Sequence, residues 1–80
     1  MQEFDRTTLE AVPASDAKWG RDADGVSART GRIANVWAHR RNSESLARLE
    51  ADGLVVAELV GGVQHWRRTP RGDAASPVNR

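Results

Sequence analysis

Leu46-Ala47-Arg48-Leu49-Glu50-Ala51-Asp52-Gly53-Leu54-Val55, continued by Gly61-Gly62 and by His65-Trp66-Arg67-Arg68-Thr69-Pro70-Arg71-Gly72, decides the fold. Leu46 and Leu49 recur at helical spacing, and Gly53 stops the helix because glycine enters the left-handed conformation that closes a carboxyl end. Val55 to Val60 then reads as a strand, with Gly61-Gly62 as a two-residue hairpin turn. That turn sets Val60 opposite Val63, Glu58 opposite His65, Ala57 opposite Trp66 and Val55 opposite Arg68. One face carries Val55, Ala57, Leu59 and Trp66 and is expected to cover the helices, Trp66 burying about 150–250 Å². The other face, with Glu58, His65 and Arg67, is expected to be solvated. Thr69-Pro70-Arg71-Gly72 ends the second strand as a turn, and residues 73–80 read as a flexible tail without periodicity.

Upstream, residues 6–12 predict a short helix carrying Leu9 and Val12, capped by Thr7 or Thr8 and ending before Pro13. Residues 14–25 are small, acidic and glycine-bearing and predict a loop, with Trp19 as its apolar anchor. Asp24 or Ser27 can cap a second helix through Arg29, and Thr30-Gly31 breaks it. From Arg32 onward, Ile33, Val36 and Trp37 form one helical stripe and Leu46 and Leu49 another, out of phase with the first. Asn42-Ser43 lies where the stripes part. Residues 32–50 are therefore either one kinked helix or two helices meeting at a turn.

The chain has 80 residues, 39% of them hydrophobic and 29% charged, within the range of one small globular domain. A core this small buries about 60% of the unfolded surface, so stability is expected to be modest. Cysteine is absent, which excludes disulfide staples, thiol catalysis and cysteine-based metal sites. His39 and His65 alone do not make a metal centre, and neither a phosphate-binding glycine loop nor a nucleophile–base arrangement is present. No catalytic residue, cofactor or metal is expected. No apolar run approaches the roughly 18 residues of a membrane span, and the start Met1-Gln2-Glu3-Phe4-Asp5-Arg6 is too polar for a signal peptide. A soluble, cytoplasmic, unprocessed protein is the expectation.

The net charge of +1 conceals an uneven distribution. Residues 1–28 hold six acids (Glu3, Asp5, Glu10, Asp16, Asp22, Asp24) against Arg6, Lys18 and Arg21, a balance of −3. Residues 29–72 hold Arg29, Arg32, Arg40, Arg41, Arg48, Arg67, Arg68 and Arg71 against Glu44, Glu50, Asp52 and Glu58, a balance of +4. Eleven of the twelve basic residues are arginine, whose planar fork matches phosphate oxygens and guanine edges. A GC-rich coding sequence also favours arginine, so this bias alone does not specify a nucleic-acid partner.

The run Leu46-x-x-Leu49-Glu50-x-x-Gly53-Leu54-Val55, with its hairpin and Arg68-Thr69-Pro70-x-Gly72, resembles the last helix and wing of winged-helix bacterial regulators of the MarR-like and PadR-like kind. Val26-Ser27-Ala28-Arg29-Thr30-Gly31 resembles the second helix and turn of such domains, and Asn35-Val36-Trp37-Ala38-His39 the start of their recognition helix. The likeness covers residues 26–72 and departs from the family's spacing at residues 41–45, which are extra. Gly53-Leu54-x-Val56-x-x-Leu59-x-Gly61-Gly62-Val63-x-x-Trp66 also resembles the carboxyl end of a rhodanese-like domain, but the cysteine-bearing loop that family needs has no counterpart near residues 36–41.

The first resemblance implies a small α+β winged helix-turn-helix over residues 1–72: three helices followed by a two-stranded wing, residues 1–25 acidic and partly loop, 26–55 the helix-turn-helix and 55–69 the wing. It implies a double-stranded DNA-binding transcriptional regulator. Arg32, Asn35, His39, Arg40, Arg41 and Asn42 would contact the DNA from the recognition helix and its approach, and Arg67 and Arg68 from an arginine-tipped wing, Arg67 being the better placed. A homodimer or a protein partner would use the acidic amino-terminal segment. The competing expectation is a small protein-interaction or accessory module, winged-helix or catalytically inactive rhodanese-like, that binds a partner protein with its acidic end or its apolar hairpin edge and does not bind DNA.

Overall fold

A computed structural model describes residues 1–32 and 35–76. The elements are α1 (Glu3–Ala11), β1 (Arg21–Asp22), α2 (Ala23–Thr30), α3 (Val36–Ala51), β2 (Val55–Val60), β3 (Val63–Arg68) and α4 (Pro70–Ala75). This is a small α+β domain in which helices are followed by a β-hairpin, and the antiparallel sheet has the order β1-β3-β2. Among the described residues, no helix is long and apolar enough to cross a membrane.

The hairpin has the register set by Gly61-Gly62, from Val60 opposite Val63 to Val55 opposite Arg68. Both turn glycines have positive φ, 59° and 81°, as a two-residue turn matched to strand twist requires. The inner face holds Val55, Ala57 and Trp66, but Leu59 is 73% exposed because the hairpin extends beyond the helices. β1 was not anticipated. It adds Arg21 and Asp22 beside Trp66 and His65, too short a strand to leave a pattern in the sequence.

α1 begins at Glu3, earlier than expected, and Thr7 and Thr8 do not cap it. Their hydroxyls donate to the carbonyls of Glu3 and Phe4 one turn back, at 3.2 and 3.1 Å. Residues 14–25 are not all loop: Asp22 caps α2, accepting from the Gly25 amide at 2.8 Å, and neither Asp24 nor Ser27 takes that place. Gly31 closes α2 with φ 74°. Trp19 is 70% exposed and anchors nothing; Lys18 Nζ lies 5.6 Å from its ring centre.

α3 is a single helix, capped at Asn35, whose side chain accepts from the Ala38 amide at 2.8 Å. Nothing breaks at Asn42-Ser43, because the buried stripe runs Asn42, Ser45, Leu46, Leu49, a helical row in which two members are polar. Ile33, counted in the apolar stripe, lies outside the described residues. The carboxyl end closes as Gly53 implied: its φ is 75°, its amide donates to Glu50 O at 3.0 Å, and the Leu54 amide donates to Leu49 O at 2.9 Å. This paired closure brings Leu54 against Leu49. Both join a core of Leu9, Val12, Val26, Leu46, Val55 and Trp66.

The expected tail is partly helix. Thr69 caps α4, accepting from Gly72 N at 3.1 Å, and Pro70 occupies the first turn, where a missing amide costs nothing. Asp73 accepts from the Ser15 amide at 3.2 Å and from its hydroxyl, and the Arg68 amide donates to Pro13 O at 2.8 Å. The segment after Gly72 is thus bound to the loop that follows α1. Residues 77–80 lie outside the described residues.

Candidate nucleic-acid interface

The expected contact residues divide into an exposed set and a set that faces inward. Asn42 is 1% exposed; its amide donates to Ser27 Oγ at 2.7 Å and its carbonyl accepts from Arg32. Arg32 also donates to Thr8 Oγ1 at 2.9 Å and to Phe4 O at 2.8 Å, with its guanidinium carbon 3.6 Å from the Phe4 ring centre. Burial and the neighbouring charge of Arg41 lower the Arg32 pKa from the usual arginine value, while Asp5 opposes that shift. Neither Arg32 nor Asn42 is therefore placed for a groove. Their polar atoms are consumed in joining α1, α2 and α3.

The same junction continues through Asp5. Ser45 Oγ donates to Asp5 at 2.6 Å and lies 2.9 Å from Thr8 Oγ1, and Arg48 closes a two-pronged pair on Asp5 at 3.0 and 2.8 Å. The Arg48 hydrogen bonds hold the Asp5 carboxyl below its ordinary pKa against an opposing effect of burial, with further lowering from Ser45. One acid of the amino-terminal segment is thus committed to α3.

The hairpin arginines are committed too. Arg68 is 4% exposed, on the inner face, with Nε 3.3 Å from Asp73 Oδ1. That contact lacks hydrogen-bond alignment, and Nε and Nη1 have no hydrogen bond among the described residues. Arg67 Nη2 donates to Glu58 Oε1 across the strands at 2.8 Å. The hairpin tip carries Leu59, Val60, Gly61, Gly62 and Val63, so it is apolar. Its arginines sit at the base, where β3 ends.

What remains outward is the amino-terminal half of α3. Asn35, His39, Arg40 and Arg41 are exposed, with Val36 at 81% and Trp37 at 67%. Arg41 lies 4.4 Å from the Phe4 ring centre and 5.1 Å from that of Trp37, which orients its guanidinium along the helix surface. His39 Nδ1 lies 3.7 Å from Asp24 Oδ1. Trp37 was read only as a stripe residue. Its spacing of four from Arg41 was the signal that the two share a face.

The two sides of α3 differ in charge. Toward α1, Arg41 and Arg48 are balanced by Asp5 and Glu44; toward the hairpin, a cleft of about 430 Å³ is bordered by Asp24, Ser43, Leu46, Glu50 and Trp66 and has a negative edge. Arg32, Arg40, Arg41 and Arg67 do not make one free basic face, since Arg32 is spent internally and Arg67 pairs with Glu58. Among the described residues of this surface, Arg40 and Arg41 have no carboxylate partner, Arg41 lying against the Phe4 and Trp37 rings. No protein-family model and no curated protein matches the chain.

Proposed function

We propose that the chain binds double-stranded DNA as a small winged-helix transcriptional regulator of the cytoplasm, with the amino-terminal half of α3 in the major groove. The reading rests above all on Arg40 and Arg41. Both are exposed on a helix whose buried arc is Asn42, Ser45, Leu46 and Leu49, Arg40 opposite that arc and Arg41 at its flank beside Phe4 and Trp37, and among the described residues neither has a carboxylate partner. A guanidinium fork there can take a guanine edge, worth about 1–3 kcal/mol of discrimination, or a phosphate. Asn35 and His39 flank them. The position of α3 after a glycine-closed α2 and before a hairpin supports the same reading.

The hairpin's part in this reading is smaller than the sequence suggested. With Arg67 paired and Arg68 buried, the wing offers backbone amides, apolar side chains and the polar Gln64 and His65, but no unpaired exposed arginine. Binding should therefore depend on few phosphate contacts and be weak.

Fluorescence anisotropy with mixed-sequence duplex at about 50 and about 200 mM salt tests the proposal, since each neutralised phosphate contributes about −0.9 to the salt slope. Salt-sensitive binding that Arg40→Ala/Arg41→Ala abolishes supports it. Absence of binding at the lower salt overturns it in favour of a protein-interaction module, the reading favoured by exposed Trp37, Leu59 and Val63.

A further inference from the structure

Val36 and Trp37, 81% and 67% exposed, stand in the first turn of α3 with their side chains open to solvent. They precede Arg40 by four and three residues, so the three share one face of the helix. Arg41 follows Trp37 by four and sets its guanidinium carbon 5.1 Å from the centre of the indole. The exposed apolar groups of the hairpin tip, by contrast, belong to a surface with no unpaired exposed arginine.

Trp37 is also braced. The Arg41 guanidinium lies 4.4 Å from the Phe4 ring centre, and Arg32 lies 3.6 Å from the same ring. Arg32 in turn donates to Thr8 Oγ1 and Phe4 O at 2.9 and 2.8 Å. The succession Arg32, Phe4, Arg41, Trp37 thus ties an exposed indole to the junction of α1 and α3. A ring held in place loses little rotamer freedom on contact, so what it buries is largely retained as affinity.

The major-groove edges of the base pairs present hydrogen-bond donors, acceptors and one apolar group, the thymine methyl. A phosphate attracts Arg40 and Arg41 but gives the face of an indole nothing to bury. We infer that Trp37 reads a thymine methyl, so that the sequence recognised by α3 carries a thymine beside the base pair contacted by Arg40. This inference rests on the DNA-binding reading and names a base for it. Arg41, stacked on two rings, serves as the brace of Trp37, and Arg40 is the arginine left to take a guanine edge. Glu44 follows Arg40 by four on the same arc, and its carboxylate is repelled by phosphate, so the base contacts end at the second turn of α3.

The test begins by selecting duplexes that bind the full chain from a random pool at about 50 mM salt. Each thymine of the selected sequence is then replaced in turn by deoxyuridine, which removes only the methyl group. At one position the wild-type Kd is expected to rise about fourfold, the equivalent of one buried methyl group. Trp37→Ala is expected to bind the thymine and uracil duplexes equally, with the wild-type salt slope, because no phosphate contact is lost, and with unchanged far-ultraviolet circular dichroism. A wild-type Kd that no thymine-to-uracil change raises overturns the inference, whatever the variant does. So does a folded Trp37→Ala chain that keeps the full preference for thymine. Either result leaves salt-sensitive duplex binding, and with it the DNA-binding reading, in place, whereas a wild-type chain that selects no duplex overturns both.

Discussion

The guanidinium of Arg32 lies 3.6 Å from the centre of the Phe4 ring, which fixes it as an internal strut between the first turn of α1 and the middle of α3. Its fork serves three acceptors, Thr8 Oγ1, Phe4 O and Asn42 Oδ1. Arg32→Ala is expected to lower stability by about 2–3 kcal/mol, in line with loss of charge-assisted hydrogen bonds and an orphaned Asn42 carbonyl. Arg32→Lys should recover little, because an ammonium does not reproduce the planar fork. Urea unfolding at neutral pH measures both, and a change within about 0.5 kcal/mol, as at an ordinary surface site, would contradict the strut.

Asp5 makes the fold acid-sensitive with a definite sign. Its folded pKa lies below the ordinary carboxylate value, chiefly through the Arg48 hydrogen bonds. The associated stability is complete above the unfolded pKa of about 3.9 and is lost as pH falls from there through the folded value. Asp5→Asn is expected to cost about 1–2 kcal/mol at neutral pH and to flatten the stability curve below about pH 4. Urea midpoints taken as a function of pH read both effects. Parallel acid limbs in wild type and variant would show that Asp5 is not the group responsible.

Gly72 has no room for a side chain. A Cβ there would lie 1.9 Å from Leu54 O and 3.2 Å from Arg68 Cβ. Alanine ordinarily improves a helix position by about 1 kcal/mol over glycine, but a backbone oxygen at that distance must be displaced. Gly72→Ala is expected to destabilise by a net amount of about 1–3 kcal/mol, seen as a lower Tm. A raised Tm would mean that α4 moves away without cost.

The Arg68–Asp73 pair predicts an asymmetry. Removing Arg68 leaves Asp73 with the Ser15 amide and hydroxyl, whereas removing Asp73 leaves a guanidinium 4% exposed and uncompensated. Arg68→Met should fall within about 1 kcal/mol of wild type or be more stable, as when apolar residues replace buried ions. Asp73→Ala should cost about 2–3 kcal/mol, toward the lower end for a broken pair because Asp73 is partly solvated. Equal losses in thermal or urea unfolding would argue that packing, not charge, holds the contact.

The hairpin could be read from the sequence because two glycines impose both turn and register, and alternation then assigns the faces. The closure of α3 could be read for the same local reason, from Gly53. The continuity of α3 could not, since periodicity counts apolar residues, and Asn42 and Ser45 stand on the buried stripe as polar ones. Their partners Ser27, Asp5 and Thr8 are 15, 40 and 37 residues away, beyond any local window. The candidate contact residues divide on similar ground: Arg40 and Arg41 face outward, but nothing local distinguishes them from Arg32, whose hydroxyl and ring partners Thr8 and Phe4 come from 24 and 28 residues away, or from Arg68, which β3 turns into the core beside Asp73. α4 escaped notice because Pro-Arg-Gly-Asp suggests a turn, although Thr69 before Pro70 is a cap followed by a favourable first helical residue.

Ser15 and Asp73 meet across 58 positions of chain, and that distance orders events during synthesis. While the ribosome is still making the hairpin, the loop after α1 waits with its amide and hydroxyl open, and Arg68 has no counter-ion to enter the core with. The helices can associate earlier, but the end of β3 and Asp73 are five residues apart and leave the exit tunnel nearly together, so the last strand and its latch close in one late step, after most of the chain has emerged.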